Sequence, residues 1–410
     1  MANRLLWLTF YLIYPLQQLP LKPYYPALTA ASLASLFSLK RGLLRLLSFY
    51  WPFVPFLTWA WLSVLWSVDP EASVKMSLKL TVYAFGALGL GAFYLRDGDA
   101  FGVVAKGVFW SALWVSTAYL FLAVKLGLLQ LFTGGFSMET VGEIARLNVG
   151  FGGGRNIMAS WLAFALTFAL PYLYARTRSL LPVLLSLPVL TALLLTLSRT
   201  ALLSLLLAPF LGALLAPPKA RRAFTRALLA LLAAAALLLA LNPFNLGSFV
   251  ALRFLSALKA LRGEAEDWGT EGRLELWHYA LKAFTEEPLT GTGLGTLYAG
   301  LPSIGGVNNY HNVPLQLLAQ TGLVGLTLFL LWSLFLFLTA FRLKRAYPLE
   351  GSVLLVNLLT YYFKSLLMFQ YVDAEVWTLV GLTGGLYARY NLSHARDAPA
   401  NSPLRGPGGS

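Results

Sequence analysis

The sequence predicts an all-α, polytopic integral membrane protein. Hydrophobic residues make up 58% of the chain and charged residues only 12%, and the mean hydropathy is +0.68. Apolar stretches of about 18 residues or more, the length that an α-helix needs to cross a bilayer, recur from end to end. Stretches such as 227–241 are apolar on every side, whereas barrel strands would alternate. These observations favour membrane-spanning helices and argue against a soluble domain.

We predict about twelve spans from the apolar stretches. They lie at residues 5–21, 26–39, 46–66, 78–95, 101–124, 156–175, 180–197, 200–216, 227–241, 313–341, 351–370 and 374–390. The second span is short and the first contains Pro15, Gln17 and Gln18, so either could be a broken or re-entrant helix. The first segment lacks a small-residue cleavage site and is expected to remain in the protein.

The charge distribution predicts the orientation. The chain has 31 Lys and Arg residues, 17 Asp and Glu residues and a net charge of +14. In a membrane protein this excess indicates cytoplasmic loops and contact with anionic lipid headgroups rather than nucleic acid. Four basic clusters share one face when twelve crossings are counted: Lys40/Arg41/Arg45, Arg176/Arg178, Lys219/Arg221/Arg222/Arg226 and Arg342/Lys344/Arg345. We expect this face and both termini to be cytoplasmic.

The chain divides into four predicted parts. A bundle of about nine spans at 1–241 precedes a large outer loop at 242–312, about three spans at 313–390 and a disordered tail at 391–410. The loop has seven acidic and five basic residues, a net charge of −2 that suits an extracytoplasmic segment. Helices are predicted over "FVALRFLSALKALRG" and "GRLELWHYALKAFTEEP". The following "TGTGLGTLYAG" predicts an irregular turn, since no strand precedes it as a dinucleotide fingerprint requires.

Polar residues that are unusual for such a chain fall on the outer face. Arg199 lies in an otherwise apolar turn, where it should face a wet cavity or bind an anion, with snorkelling to lipid phosphate as the alternative. Its planar, permanently charged fork suits a diphosphate. Arg155 and Asn156 begin another span on this face and are further candidates for binding substrate.

Two more candidates lie on a predicted helix of the outer loop. Arg273 has Glu271 and Glu275 nearby, so a surface ion pair is an alternative to a functional role. Trp277, four residues later, shares its helix face and could stack on a sugar ring or anchor the helix at the membrane interface.

His311 is one of only three histidines and stands at the entrance to the next span. A histidine with a pKa near neutrality could remove a proton from a hydroxyl group, although a helix-start histidine bonded to backbone is the simpler interpretation. Asn312 and Gln316 follow it as candidate substrate ligands. Lys364, an intramembrane charge, could balance a lipid diphosphate or snorkel.

The same residue types bear on cofactors and on rival mechanisms. The chain has no cysteine, and no His/Glu cluster has metal-ligand spacing, so we predict no metal site and no cofactor. An alternative mechanism would use a carboxylate base on the outer face. The candidates for that role are Glu286, Glu287, Asp69 and Glu139.

Three motifs resemble, in order, the signatures of the O-antigen ligase and O-antigen polymerase superfamily of bacterial membrane glycosyltransferases. They are "SRTALL" around Arg199, "GRLELWHYALKAFTEEPLTGTGLG" from Gly272 and "HNVPLQLLAQTGLVGL" from His311. The resemblance implies a glycan donor linked to polyprenyl (undecaprenyl) diphosphate and a glycolipid or glycan acceptor, at the periplasmic face of the inner membrane. By the same resemblance Arg199 and Arg273 hold the diphosphate, His311 activates the acceptor, and Asn156 matches an asparagine that begins its span.

The expected function is an inverting, metal-independent glycosyltransferase, most similar to an O-antigen ligase. A polymerase that extends the lipid-linked glycan and an enzyme that glycosylates a secreted protein are alternatives within the superfamily. A transporter or flippase of lipid-linked sugars is the alternative from another class. It is disfavoured because the polar residues lie at one face and because we detect no internal repeat.

Overall fold

The computed structural model describes residues 1–17, 19–39, 41–125, 155–241, 246–262, 268–298, 309–368 and 371–397. All regular secondary structure in these ranges is helical, which confirms the predicted all-α class. Residues 126–154, which include the candidate base Glu139, lie outside the described residues. The predicted tail from residue 398 onward does so too.

The structure contains seventeen α-helices in the described ranges. The first eight are α1 Ala2–Ile13, α2 Tyr24–Phe37, α3 Leu43–Tyr50, α4 Val54–Leu62, α5 Pro70–Arg96, α6 Ala100–Ala123, α7 Arg155–Phe164 and α8 Leu170–Thr177. The others are α9 Leu181–Leu185, α10 Leu187–Leu195, α11 Arg199–Leu215, α12 Pro218–Leu241, α13 Leu246–Leu261, α14 Trp268–Glu286, α15 Val313–Ala346, α16 Pro348–Ser365 and α17 Ala374–Asp397.

Five helical segments of the described chain are long and apolar enough to cross a membrane. They are Pro70–Arg96, Ala100–Ala123, Asn156–Thr177, Ala220–Ala240 and Val313–Ala346. Two shorter apolar segments, Leu181–Leu195 and Arg199–Leu215, accompany them. The lengths and composition of these helices indicate an integral membrane protein. The number of twelve spans stays a prediction.

Prolines end or divide several of the predicted spans. Helix α1 ends at Ile13, short of residue 21, because Pro15 has no N–H to continue the helical hydrogen bonds. The predicted span 46–66 consists of α3 and α4 with a turn of 3₁₀-helix after each of them, and the turn between them contains Pro52. Helix α17 continues to Asp397, beyond residue 390 where the predicted tail begins.

The bundle has one large apolar core, and the loop helix α14 joins it through a smaller one. Within the bundle α5 packs against α2 and α17, and α16 packs against α11 and α15. Helix α14 lies on α15 through a separate apolar cluster, which includes Leu276, Ala280 and Tyr310. This cluster fixes the helix that carries Arg273 beside the turn that carries His311.

Helix α15 is broken at Gly322, which has φ 65° and ψ −170°. The segment after α14 fills the break: the Leu323 N–H donates to the Pro288 carbonyl at 2.9 Å, and the Gly293 N–H donates to the Gln320 carbonyl at 2.9 Å. A Cβ atom at Gly322 would lie 2.2 Å from the Leu289 carbonyl oxygen, so no larger residue fits there. The glycine-rich segment is non-helical, as predicted, and holds the broken helix in place.

Candidate functional site

Three helices begin at one end of the bundle. Helix α7 begins at Arg155, α11 at Arg199 and α15 at Val313, and none of the three has an acidic residue in its first turn. The N-terminus of a helix carries a partial positive charge, since its first N–H groups have no intrahelical acceptor. This end of the bundle therefore favours an anion.

The turn that carries His311 is strained and firmly held. His311 has φ 51°, a left-handed conformation that costs a residue with a side chain on the order of 1 kcal/mol. Its N–H donates to Asn309 Oδ1 at 2.9 Å, and the Tyr310 N–H donates to Gln316 Oε1 at 2.8 Å. Gln316, which we predicted to bind substrate, is 1% exposed and holds the backbone beside His311.

Asn312 caps helix α15 and ties it to the end of α16. Its Oδ1 accepts from the Leu315 N–H at 2.9 Å, and its Nδ2 donates to the Leu366 carbonyl at 3.0 Å. Both polar atoms of this side chain are thus engaged, and the residue is buried. Asn312 fixes the direction in which the chain passes His311 into the helix.

His311 and Arg273 act on one another electrostatically although they lie on different elements. Burial, and to a smaller extent the positive charge of Arg273, lower the pKa of His311 to about 4. The imidazole is therefore neutral at neutral pH, and one ring nitrogen keeps a lone pair that can accept a proton. The structure thus places Arg273 close enough to His311 to affect its charge, and the roles of both residues stay predictions.

Trp277 lies one turn after Arg273 on α14. Its ring packs against the small apolar cluster that joins α14 to Tyr310. The indole N–H is buried and, within the described parts of the chain, meets no hydrogen-bond acceptor. A buried donor without a partner is uncommon, because most buried polar groups in folded proteins are hydrogen-bonded.

Asn156 and Arg199 come together at the start of α7 and α11. Ser198 Oγ donates to Asn156 Oδ1 at 3.1 Å, and Leu197, just before it, adopts a left-handed φ of 51° that turns the chain into α11. Arg199 follows as the first residue of α11 and is partly buried. Arg155 begins α7, and its side chain lies outside what the structure describes.

Lys364 lies beneath this end, inside the protein. It is 1% exposed and forms an ion pair with Glu375, while its Nζ also donates to Ser160 Oγ at 2.7 Å. Ser160 Oγ donates in turn to Glu375 Oε2 at 2.9 Å. The side chain does not snorkel, and Glu375 balances its charge. The predicted contact with a lipid diphosphate stays a prediction.

The buried cluster connects the two groups of site residues. Ser160 lies one turn after Asn156 on α7, and Leu366, which accepts from Asn312, lies two residues after Lys364. The elements that begin with Asn156 and with Asn312 therefore meet through the end of α16. The sequence-predicted residues gather at one end of the bundle.

Comparison with known families bears on the same part of the chain. Residues 181–330 match the family described as O-antigen ligase. Over these residues, which make up less than half of the chain, the protein is similar to the O-antigen ligase family. The assignment confirms the resemblance of the three motifs and implies an enzyme of the membrane glycosyltransferase type. No curated protein that was compared with the chain matches it significantly.

The O-antigen ligase region contains most of the candidate site but not all of it. Six candidates lie inside residues 181–330: Arg199, Arg273, Trp277, His311, Asn312 and Gln316. Arg155, Asn156 and Lys364 lie outside the region and reach the same end of the bundle through α7 and α16. Helix α7, which precedes this region in the sequence, and helix α16, which follows it, therefore contribute to the candidate site.

Two supporting groups were missed by the sequence analysis. Gln320 is buried in the break of α15, where its Oε1 accepts from the Gly295 N–H at 3.0 Å and its Nε2 donates to the Thr296 carbonyl at 2.6 Å. Asp373 accepts from the N–H groups of Glu375 and Val376 at the start of α17. The acidic pair in "YVDAEVW", between two apolar stretches, was the signal that could have revealed the second group.

Two of the four carboxylates of the rival mechanism, Asp69 and Glu286, have other partners. Asp69 caps α5 by accepting from the Ala72 N–H at 3.0 Å, and Glu286 Oε1 accepts from the Tyr298 hydroxyl at 2.7 Å. Tyr298 is in turn bonded through its N–H to the Tyr310 hydroxyl at 2.8 Å. In the O-antigen ligase region, Glu286 therefore supports the turn before His311.

Proposed function

We propose that the protein is an inverting glycosyltransferase of the O-antigen ligase type. It transfers a glycan from polyprenyl (undecaprenyl) diphosphate to an acceptor hydroxyl group at the periplasmic face of the inner membrane. The observation that carries the proposal is a partly buried, neutral His311 near the charge of Arg273 within the O-antigen ligase region. A proton acceptor and an anion-binding cation stand together there.

The donor diphosphate is held by cations in this proposal. Arg199 and Arg273 supply two guanidinium groups, whose paired N–H donors fit phosphate oxygens. The N-termini of α7, α11 and α15 add their partial positive charges. These groups stabilise the negative charge that develops on the diphosphate as it leaves, so the proposed reaction needs no divalent metal.

The acceptor is activated by His311. The imidazole accepts the proton of the acceptor hydroxyl group while the hydroxyl oxygen bonds to the anomeric carbon of the donor sugar. The bond between that carbon and the diphosphate oxygen breaks at the opposite face, and polyprenyl diphosphate leaves with the electron pair. One direct displacement of this kind inverts the anomeric configuration.

Donor binding also prepares the base. The charge of Arg273 contributes to the low pKa of His311, and a bound diphosphate offsets that charge. The imidazole thus becomes more basic once the donor is in place. The ring of Trp277, which is partly exposed, would stack on a sugar of the glycan and hold it on the same helix as Arg273.

The membrane arrangement belongs to the proposal as well. About twelve spans, a periplasmic loop at residues 242–312 and a cytoplasmic location of the basic clusters would give His311 access to the periplasm. The compact form with one large loop favours a ligase over a polymerase. The gathering of polar residues at one end, away from the middle of the bundle, disfavours a transporter.

A transfer assay with purified protein tests the proposal. Wild type is compared with His311→Gln and with the matched variant His278→Gln, whose imidazole is exposed on α14. We expect His311→Gln to lose about 10²- to 10⁴-fold in kcat with donor binding retained, and His278→Gln to keep its activity. Both released polyprenyl diphosphate and the glycosylated acceptor are quantified.

The outcomes separate the alternatives. Undiminished turnover by His311→Gln would refute the histidine mechanism, and loss of wild-type activity on adding EDTA would refute metal independence. A product in which the glycan is extended on its own lipid carrier would identify a polymerase. Absence of transfer to any acceptor by the wild type would favour a transporter.

A further inference from the structure

A basic cavity lies at the opposite end of the bundle from His311. It has a volume of about 600 Å³ and lies between the end of α8 and the beginnings of α12 and α16. The residues that matter for its chemistry are Arg176, Arg178, Arg222, Arg226, Tyr174 and Glu350. The proposed transfer reaction uses none of them.

The helices show that the cavity and the transferase site are far apart. Helix α15 begins beside His311 and ends at Ala346, and Pro348, two residues later, lines the cavity. A continuous helix of 34 residues would be about 50 Å long, and the break at Gly322 shortens this distance only in part. Helix α11 likewise runs from Arg199 toward α12, whose first turns line the cavity.

The charges in the cavity are unbalanced. Glu350 is the one carboxylate that faces four arginines among the lining residues. Of these arginines, Arg176 has an ion pair, with Asp99 at 3.7 Å, and within the described ranges the other three have none. Helix α12 also begins here, and its first turn contains no acidic residue. The positive end of that helix adds to the field of the guanidinium groups.

The chemistry of these groups fits phosphate. Guanidinium forks bind phosphate oxygens in pairs, the Tyr174 hydroxyl can donate a further hydrogen bond, and basic pockets between membrane helices suit anionic headgroups. A volume of about 600 Å³ is within the range of pockets that hold small ligands. We propose that this cavity is a binding site for a phosphate-bearing anion, separate from the transferase site.

A general excess of basic residues on this face would not require a site. Arg342 and Arg345 provide the comparison, because both are exposed near the end of α15 and neither lines the cavity. If anions bind only because this face is basic, their affinity depends on the number of basic residues. If they bind in the cavity, their affinity depends on the residues that line it. Removing two charges from each place separates the two explanations.

The experiment measures binding to the purified full-length protein in a neutral detergent. The probes are short-chain phosphatidylglycerol and inorganic diphosphate, with phosphatidylcholine as the zwitterionic reference. Each measurement is repeated in the Arg199→Gln/Arg273→Gln background, which removes diphosphate binding at the proposed transferase site. Wild type is compared with Arg222→Gln/Arg226→Gln and with the matched Arg342→Gln/Arg345→Gln. We expect the cavity variant to lose at least about tenfold in affinity and the matched variant to bind as the wild type does.

The two probes distinguish the source of the ligand. A cavity-dependent loss with phosphatidylglycerol alone identifies a lipid headgroup, and a loss with both probes identifies the phosphate group itself. Arg178→Gln is measured alongside, so that a folding defect in the double variant leaves a second test. Equal affinities of the cavity and matched variants, or no binding of either probe by the wild type, would overturn the proposal.

Discussion

The charge state of His311 decides at which pH the proposed reaction can proceed. Burial and Arg273 lower its pKa to about 4, so protonation should abolish kcat/KM only near pH 4, well below the value of about 6.5 for an ordinary histidine. Bound diphosphate offsets Arg273, and the acid limb of kcat should therefore lie at higher pH than that of kcat/KM. Steady-state kinetics from about pH 3.5 to pH 8 measures both limbs.

Arg273→Gln provides the control for this pH dependence. Removing a like charge should raise the pKa of His311, because the imidazolium no longer faces the guanidinium. The acid limb of kcat/KM should then move to higher pH, whatever the loss in absolute rate. A limb that stays in place would show that Arg273 does not act on His311.

The ion pair between Lys364 and Glu375 permits a test of two roles for the lysine. Both side chains are buried, so Lys364→Met alone leaves an unpaired carboxylate and should cost about 3 to 5 kcal/mol in free energy of unfolding. The double variant Lys364→Met/Glu375→Leu removes both charges and should recover most of that loss. Thermal unfolding in detergent provides the measurement.

Activity of the same double variant separates structure from chemistry. If Lys364 only joins α16 to α7 and α17, the stable double variant should keep its transfer activity. A folded double variant without activity would assign the lysine to the donor diphosphate, as the sequence analysis suggested. This outcome cannot be read from the single variant, whose instability would mask it.

At the level of elements, we expect the break in α15 to be especially sensitive to substitution. Gly322 adopts a combination of φ and ψ that is essentially restricted to glycine, and a Cβ atom would meet the Leu289 carbonyl oxygen. We expect Gly322→Ala to lower the free energy of unfolding by about 1 to 3 kcal/mol. It should also reduce the transfer activity, because the contact between the break and the Pro288–Gly293 segment positions α14 relative to α15. Gly98 is exposed, and a Cβ atom there would lie 3.5 Å from its nearest neighbour, Arg389 Nη2. Gly98→Ala should therefore change neither the stability nor the transfer activity.

The break also shows where prediction from sequence stops at this scale. Hydropathy correctly predicts an apolar helix over 313–341, and one glycine within it does not distinguish a kink from a tolerated residue. The break depends on the Pro288–Gly293 segment, which reaches α15 from another part of the chain. Prolines were more informative, since Pro15 made a broken first span an expectation from the sequence alone.

At the level of the whole molecule, the motifs predict which candidate residues lie near one another better than they predict the hydrogen bonds and ion pairs around those residues. Arg273 and His311 were paired from residue type and order, and the structure brings them together. The partner of Lys364 was not predicted, because the distance between α16 and α17 is not contained in the periodicity of either helix. The sequence analysis proposed Gln316 as a substrate ligand because the hydrogen bond from the Tyr310 N–H to its side chain cannot be read from the sequence.

The orientation of the whole chain can be tested with single thiols. The protein has no cysteine, so each introduced cysteine is a unique target for a maleimide. We expect a membrane-impermeant maleimide to label Leu289→Cys in intact cells and Ser179→Cys only after the cells are broken. Both positions are exposed in the structure. The reverse pattern would place the proposed site and the basic cavity on the opposite sides.

The break in α15 also has a consequence for depth. The arm after Gly322, residues 323–346, is about 36 Å long, enough to cross the hydrocarbon layer of about 30 Å by itself. The shorter arm, residues 313–321, then adds about 13 Å of helix and would lift His311 into the headgroup layer. At that level the acceptor hydroxyl group can remain in water while the polyprenyl chain of the donor remains in the hydrocarbon layer.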